Sequence, residues 1–174
     1  MDNRPERGER GRLRVKDVVL LGLLGGLMFA AKIAMAGLPN IEPVSLLVML
    51  YAAVLGRRAL YPIYIYVGLE VCVWGLSLWC LNYLYVWLIL CLAAWALRKM
   101  RTPLGWALLS GTFGLLFGLL CTPVYLAAGG WAFALSWWVS GIPFDIAHGA
   151  GNFVLALVLF APLRRLLEQL TQTF

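Results

Sequence analysis

Long apolar stretches dominate the chain, and short polar or basic segments separate them. The stretches are nearly free of charged residues on every face, which is typical of helices that cross a bilayer rather than of amphipathic surface helices. Six spans are predicted, at residues 17–37, 43–56, 60–81, 83–97, 104–128 and 143–163. We therefore expect an all-α integral membrane protein with six transmembrane helices, in which residues 17–168 form a single membrane domain.

The second span is the shortest. Its apolar part, residues 44–55, would form a helix of about 18 Å against a hydrocarbon core of about 30 Å. The segment either re-enters the membrane or borders a wet cavity, where a helix need not cross the full thickness. We favour the second interpretation, because losing one span would put Arg57 and Arg58 on the side opposite the other basic clusters.

The composition also indicates a membrane protein. Of the 174 residues, 63% are hydrophobic and 13% are charged, and the mean hydropathy is +0.86. A soluble domain carries about 25% charged residues, so a soluble globular domain, a disordered chain and a secreted disulfide scaffold are excluded. The four cysteines lie in apolar stretches without metal-ligand spacing. We therefore expect buried thiols, no metal site and no cofactor.

The distribution of charge predicts the topology. Of the 14 Lys and Arg residues, six lie within residues 1–16, and seven lie in clusters at 57–58, 98–101 and 164–165. With six spans all of these fall on one side of the membrane, which the positive-inside rule assigns to the cytoplasm. We expect cytoplasmic termini, a flexible basic tail at 1–16, a short tail at 169–174 and no binding of nucleic acid. The first apolar stretch is longer than that of a signal peptide, so we expect it to be retained.

Ionisable residues inside a membrane are costly and therefore indicate function. The apolar stretches contain Lys32, Glu70, Asp145 and His148, with Asn152 as a polar neighbour and with Asn40, Glu42 and Asn82 at span ends. The predicted span directions put all of these in the outer half or near the middle of the membrane. This asymmetry predicts a pocket that opens to the outside.

Asp145, His148 and Asn152 are spaced i, i+3 and i+7, so they share one helix face. Two interpretations stay open. The three side chains form a ligand-binding stripe, or they belong to an internal network. In that network Lys32 pairs with a carboxylate such as Glu70, and Asp145 pairs with His148.

Tryptophans flank the predicted outer surface. They include Trp74 near the end of the third span and Trp137 and Trp138 in a loop expected at 131–142. The loop is either a lid that stacks on a ring-shaped ligand or part of an interfacial aromatic belt.

The first span carries a small residue at every fourth position: Gly22, Gly26, Ala30 and Ala34. Such a strip lets another helix approach closely, either within the bundle or on a separate membrane subunit. Gly114 and Gly118 form a shorter strip on the fifth span. The chain has no phosphate-binding loop for ATP, so it cannot drive transport with ATP on its own.

The chain resembles the substrate-binding (S) components of energy-coupling-factor (ECF) transporters, which import vitamins and related micronutrients into bacteria. The likeness covers all six spans in size, in topology and in the positions of the basic clusters between the spans. It is most specific at residues 30–34 (AAKIA) and 141–149 (GIPFDIAHG). The first segment matches the AxxxA pattern that contacts the coupling subunit in this family. The second is similar to the proline, acidic or amide, basic and glycine residues that open the last helix in many members.

The resemblance implies a multi-pass protein of the bacterial plasma (inner) membrane. It implies that Asp145, His148 and Asn152 line the ligand site, with the 38–43 turn and the 131–142 loop as gates. A transmembrane coupling protein and two cytoplasmic ATPases would be the partners. The chain departs from the family at His148, where many members have Lys, and this leaves the charge of the ligand open.

Two functions of different classes follow. The first is a binding subunit of an ATP-driven micronutrient importer, which captures its ligand on the outer side and releases it when the bundle tilts on a coupling subunit. With three acids against Lys32 in the pocket, the ligand is expected to be ring-containing and neutral or cationic. The second is a six-helix membrane scaffold, such as a subunit of a cell-shape complex, with no ligand. An enzyme is disfavoured, because nothing positions a substrate for acid–base chemistry. The candidate substrate-binding residues are Lys32, Asn40, Glu42, Glu70, Trp74, Asn82, Trp137, Trp138, Asp145, His148 and Asn152.

Overall fold

The structure, a computed structural model, describes residues 13–38 and 40–173. Over these ranges every regular element is helical and no strand is present. Most of the predicted basic tail (residues 1–12) lies outside the described residues, as does residue 39 in the first predicted gate. The helices are α1 (Val15–Ala34), α2 (Val44–Leu55), α3 (Leu60–Trp74), α4 (Leu78–Ala96), α5 (Pro103–Leu115) and α6 (Phe117–Thr173), with a 3-10 turn at Gly56–Ala59 between α2 and α3.

Helix α6 consists of two arms that meet at Gly130. This residue has φ 75° and ψ −175°, a left-handed φ that glycine adopts without steric cost. The first arm, residues 117–129, continues the course of α5 after one turn residue, Leu116. The second arm, residues 131–173, runs back along it. If α5 and the first arm are counted as one segment and the second arm as another, the described chain contains six helical segments.

Contacts between helices show that the first three segments alternate in direction. Near the ends of α1 and α3, Lys32 Nζ lies 2.6 Å from Glu70 Oε2. Near their starts, Arg58 Nη1 lies 3.8 Å from Asp17 Oδ1. Helices α1 and α3 are therefore parallel, as expected if α2 runs the opposite way between them.

Helix α2 lies at the centre of the bundle. All nine residues from Val44 to Ala52 are buried, so the helix is surrounded by protein rather than facing lipid on one side. Its Tyr51 hydroxyl donates to the Leu24 carbonyl in α1 at 3.0 Å. Because other helices enclose it, α2 can be shorter than a lipid-facing span.

The second arm of α6 packs very closely against α5 and the first arm. A Cβ placed on Gly114 would lie 2.8 Å from the Cα of Gly149, and one placed on Gly149 would lie 2.5 Å from Leu115 Cγ. Two glycines therefore face each other at this crossing, so that the helix backbones touch. Of the two interpretations of this shorter strip, packing within the bundle is confirmed.

The described basic clusters gather at one end of the bundle, here called the basic end. Arg57 and Arg98 both lie over the ring of Trp95, with 5.6 and 5.0 Å from guanidinium carbon to ring centroid. Arg164 donates to the carbonyl of Met100 at 3.3 Å and to that of Arg98 at 3.4 Å. Clusters that are far apart in sequence therefore meet.

Four helical stretches are long and apolar enough to cross a membrane: Val15–Ala34, Val44–Trp74, Leu78–Ala96 and Pro103–Gln172. Two of these contain a reversal, at the 3-10 turn after α2 and at Gly130. Large apolar side chains such as Leu23, Leu27, Leu92, Leu108 and Val158 are exposed on the outside of the bundle. A surface of this kind is what a multi-pass membrane protein presents to lipid.

Two predicted boundaries are wrong. The third span was expected to continue to residue 81, but α3 ends at Trp74, where Gly75 takes a positive φ of 79°, and α4 begins at Leu78. Residues 131–142 were expected to form a loop, yet they are helical and belong to the second arm of α6. That arm continues to Thr173.

Candidate functional site

A cavity of about 710 Å³ lies at the end of the bundle opposite the basic end. It is bounded by the end of α1, the connection from α1 to α2, the end of α3, the α3–α4 turn, the start of α4 and both arms of α6. The rim is exposed, with Trp74 at 65% and Leu38 at 51%, whereas Glu70 and His148 deeper in the cavity are 5% and 4% exposed. The volume is within the range of about 300–1,000 Å³ that small-molecule sites occupy.

Eight of the eleven candidate substrate-binding residues line this cavity. They come from four separate segments of the chain, so the fold brings together residues that are far apart in the sequence. The eight are Lys32, Asn40, Glu42, Glu70, Trp74, Trp137, Asp145 and His148.

Three candidates lie outside the cavity lining: Asn82, Trp138 and Asn152. Asn152 donates from Nδ2 to the Ser45 hydroxyl at 3.0 Å, and Asn82 Oδ1 accepts from the Tyr85 hydroxyl at 3.2 Å. Both asparagines are fully buried. The Asn152 bond joins the second arm of α6 to α2, whereas the Asn82 bond lies within α4.

Lys32 and Glu70 form an ion pair on the cavity wall. Lys32 Nζ lies 2.6 Å from Glu70 Oε2 and 3.4 Å from the Tyr83 hydroxyl. The ammonium group also lies 5.2 Å from the centroid of the Tyr83 ring, within the range of a cation–π contact. The pairing expected in the internal-network interpretation is therefore present for these two residues.

Asp145 does not pair with His148, so the second half of the expected network is wrong. Asp145 Oδ1 instead accepts a hydrogen bond of 3.0 Å from the Gly118 backbone N–H. Its Oδ2 is buried and has no hydrogen-bond partner among the described residues. A Cβ on Gly118 would overlap the Asp145 carboxylate, so glycine is what allows this contact.

His148 faces Glu42 across the cavity floor. His148 Nε2 lies 3.7 Å from Glu42 Oε1, within ion-pair range but too far for a direct hydrogen bond. The His148 ring packs edge-on against Phe117, with 4.9 Å between ring centroids. The imidazole is therefore held between an aromatic ring and a carboxylate.

Glu42 precedes α2, in the connection that follows α1. Burial raises the pKa of Glu42 to about 7; the Lys32 ammonium lowers this pKa and the Glu70 carboxylate raises it further. The charge of this side chain therefore changes near neutral pH.

Aromatic rings form one wall of the cavity. Trp79 and Phe117 are nearly parallel, with 6.4 Å between centroids and 21° between planes. Trp137 stacks on Tyr125 at 3.8 Å, which fixes the orientation of its indole. Phe117 and Gly118 line the cavity but were not among the predicted substrate-binding residues. They lie opposite Asp145 because of the register between the two arms of α6, which the sequence does not show.

The small-residue strip of α1 faces away from the bundle. A Cβ on Gly22 or Gly26 would have nothing within 4 Å among the described residues. Ala30 and Ala34 are exposed. Intramolecular packing therefore does not account for the strip.

Searches against protein-family models, curated proteins and solved structures returned no significant match. The site must be interpreted from its own geometry.

Proposed function

We propose that this chain is the membrane-embedded binding subunit of an ATP-driven importer for a small, ring-containing micronutrient, which is neutral or cationic. The observation that carries the proposal is the cavity, with buried ionisable groups on its floor and aromatic rings on its wall. A few polar groups in a largely apolar concave site are the usual composition of a small-molecule pocket.

The orientation in the membrane follows from the charges. The basic end belongs in the cytoplasm by the positive-inside rule, so the cavity would open to the outside of a bacterial plasma membrane. Six spans with cytoplasmic termini agree with the six helical segments and with this placement of the basic end. A ligand from outside would then enter over Trp74 and Leu38 at the rim.

The proposed affinity has a physical basis. Burial of apolar surface contributes about 25 cal/mol per Å², and each hydrogen bond to a charged group contributes about 1.5–3 kcal/mol. A ring buried against the aromatic wall with two or three such bonds can reach nanomolar affinity, about −12 kcal/mol.

The outward strip of α1 supports a membrane partner. Gly22, Gly26, Ala30 and Ala34 would contact a transmembrane coupling subunit, which joins the chain to two cytoplasmic ATPases. Bundle tilting on that subunit would expose the cavity to the cytoplasm and release the ligand.

The test is to purify the full chain gently from its native membranes and identify the bound small molecules by mass spectrometry. We expect a ring-containing metabolite that changes the tryptophan fluorescence when added back, and that His148→Ala binds more weakly. Glu168→Gln is the matched control, because Glu168 pairs with Arg164 at 2.8 Å, outside the cavity lining. Absence of any ligand over a broad screen of micronutrients would contradict the proposal.

Partner capture separates the importer from the scaffold. We expect ATPases to co-purify with the wild-type chain. The Ala30→Trp variant should no longer co-purify with them but should still contain its bound metabolite. Co-purification of cell-wall proteins instead, without a ligand, would favour the scaffold.

A further inference from the structure

The charges that line the cavity are incompletely balanced. Three acidic side chains (Glu42, Glu70 and Asp145) line it, against one ammonium group, that of Lys32, and one histidine. Lys32 is already committed to Glu70 at 2.6 Å, and Glu42 has His148 at 3.7 Å. Asp145 is the lining carboxylate for which no cation lies within ion-pair distance among the described residues.

The geometry of Asp145 leaves one oxygen for a ligand. The residue is 8% exposed, its Oδ1 is held by the Gly118 N–H, and its Oδ2 is buried without a partner in the described part of the chain. Burying a carboxylate oxygen without a donor is unfavourable. A ligand that brings a charged N–H donor to this oxygen would remove that cost.

The surroundings of Asp145 also select the body of the ligand. Phe117 adjoins Gly118, and Trp79 lies nearly parallel to Phe117 in the cavity wall. An aromatic ligand ring can contact these faces while a substituent on its edge reaches the carboxylate. A cation attached to a ring satisfies both features at once.

We propose that Asp145 recognises a positively charged, N–H-bearing group on an aromatic or heteroaromatic ring, such as an amidinium or a protonated amino-heterocycle. This inference rests on the proposed function and specifies the class of ligand. An amidinium suits this site because one of its charged N–H groups can donate to Oδ2 while Oδ1 keeps the Gly118 N–H.

Three probes of the same shape test the charge: benzamidine as the cation, benzamide as the neutral compound and benzoate as the anion. Their binding to the full-length, detergent-solubilised chain is measured by ligand-observed NMR titration. We expect benzamidine to bind at least about tenfold more tightly than benzamide, and benzoate to bind most weakly. Equal binding of the three probes, or a preference for benzoate, overturns the inference.

Three variants locate the effect. Asp145→Asn keeps an oxygen for the Gly118 N–H, so it should fold and lose most of the preference for benzamidine. Gly118→Ala keeps the charge but displaces the carboxylate, and should reduce the same preference. Glu168→Gln removes a carboxylate outside the cavity lining and should leave the preference unchanged. A preference that survives Asp145→Asn overturns the role of Asp145.

The outcome can be separated from that of the proposed function. A co-purified metabolite without a basic or N–H-rich ring group overturns this inference and leaves the importer proposal standing. Failure of all three probes, together with the absence of any co-purified metabolite, overturns both.

Discussion

The Lys32–Glu70 pair offers the sharpest test of how the cavity wall is stabilised. Glu70 is the more buried partner, with a side chain 7% exposed against 23% for Lys32. Lys32→Met would remove the cation from a carboxylate whose other oxygen, Oε1, is already buried without a hydrogen-bond partner among the described residues. Glu70→Gln would leave the ammonium free to turn toward water in the cavity.

The expected magnitudes differ for the two changes. Removing one partner of a buried ion pair costs about 3–5 kcal/mol, so we expect about 3 kcal/mol for Lys32→Met. We expect roughly 1–2 kcal/mol for Glu70→Gln, because the long lysine side chain can keep its charged end wet. The double variant buries no unpaired charge and should lie within about 1 kcal/mol of the wild type.

The assay is a double-mutant cycle on thermal unfolding in a single detergent. At about 2–4 °C per kcal/mol for a chain of this size, Lys32→Met should lower the Tm by roughly 6–12 °C. Lys99→Met is the control, because Lys99 is exposed at the basic end, and it should change stability by less than about 0.5 kcal/mol. If the two single effects simply add in the double variant, the pair is not coupled and the reasoning is refuted.

Three further outcomes are expected. Gly114→Ala should destabilise the protein by about 1–3 kcal/mol, because its Cβ would lie 2.8 Å from the facing helix. Gly26→Ala should not destabilise it, because a Cβ there meets open space. Thermal unfolding of this matched pair checks both expectations. Because the folded-state pKa of Glu42 is raised from 4.5 to about 7, its contribution to stability is fully present below pH 4.5 and is lost as the pH rises through 7. Glu42→Gln should flatten the plot of Tm against pH in that interval, and an unchanged slope would contradict the burial. Trp106→Phe should cost about 1 kcal/mol, because it removes the 3.1 Å hydrogen bond from Nε1 to the Met100 carbonyl; chemical unfolding that shows no loss would contradict this.

Much of the fold could be predicted, because the apolar stretches are interrupted by residues with strong local preferences. Gly56, with a positive φ of 59°, ends α2 within one residue of the predicted end, and Gly130 marks the reversal after the fifth stretch. The boundary at Gly75 was missed although a glycine also ends the helix there. A lone glycine in an apolar stretch is compatible with a continuous helix, and the sequence does not reveal that its φ is positive. The segment 131–142 was missed because its glycine, its serines and the following proline are typical of a loop. In an apolar environment, however, the backbone must satisfy its own hydrogen bonds, and this favours a helix.

The candidate site could be predicted in part for a similar reason. Lys32, Glu70, Asp145 and His148 are conspicuous because they are ionisable residues in apolar surroundings, and all four line the cavity. Asn152 is equally conspicuous in sequence, but its Nδ2 donates to Ser45 on another helix and the residue does not line the cavity. Which polar residues face a cavity and which face each other depends on helix rotation, and an isolated sequence does not fix that rotation.

The reversal at Gly130 ties the chemistry of the cavity to the length of the chain. Gly118 and Asp145 meet although they are 27 positions apart, and no flexible loop between them can absorb a change in length. One residue inserted into either arm would rotate every later side chain by about 100° around its helix axis. Asp145 would then turn away from the Gly118 amide, so distant relatives that share this contact should keep the 27-residue spacing even where the intervening residues differ.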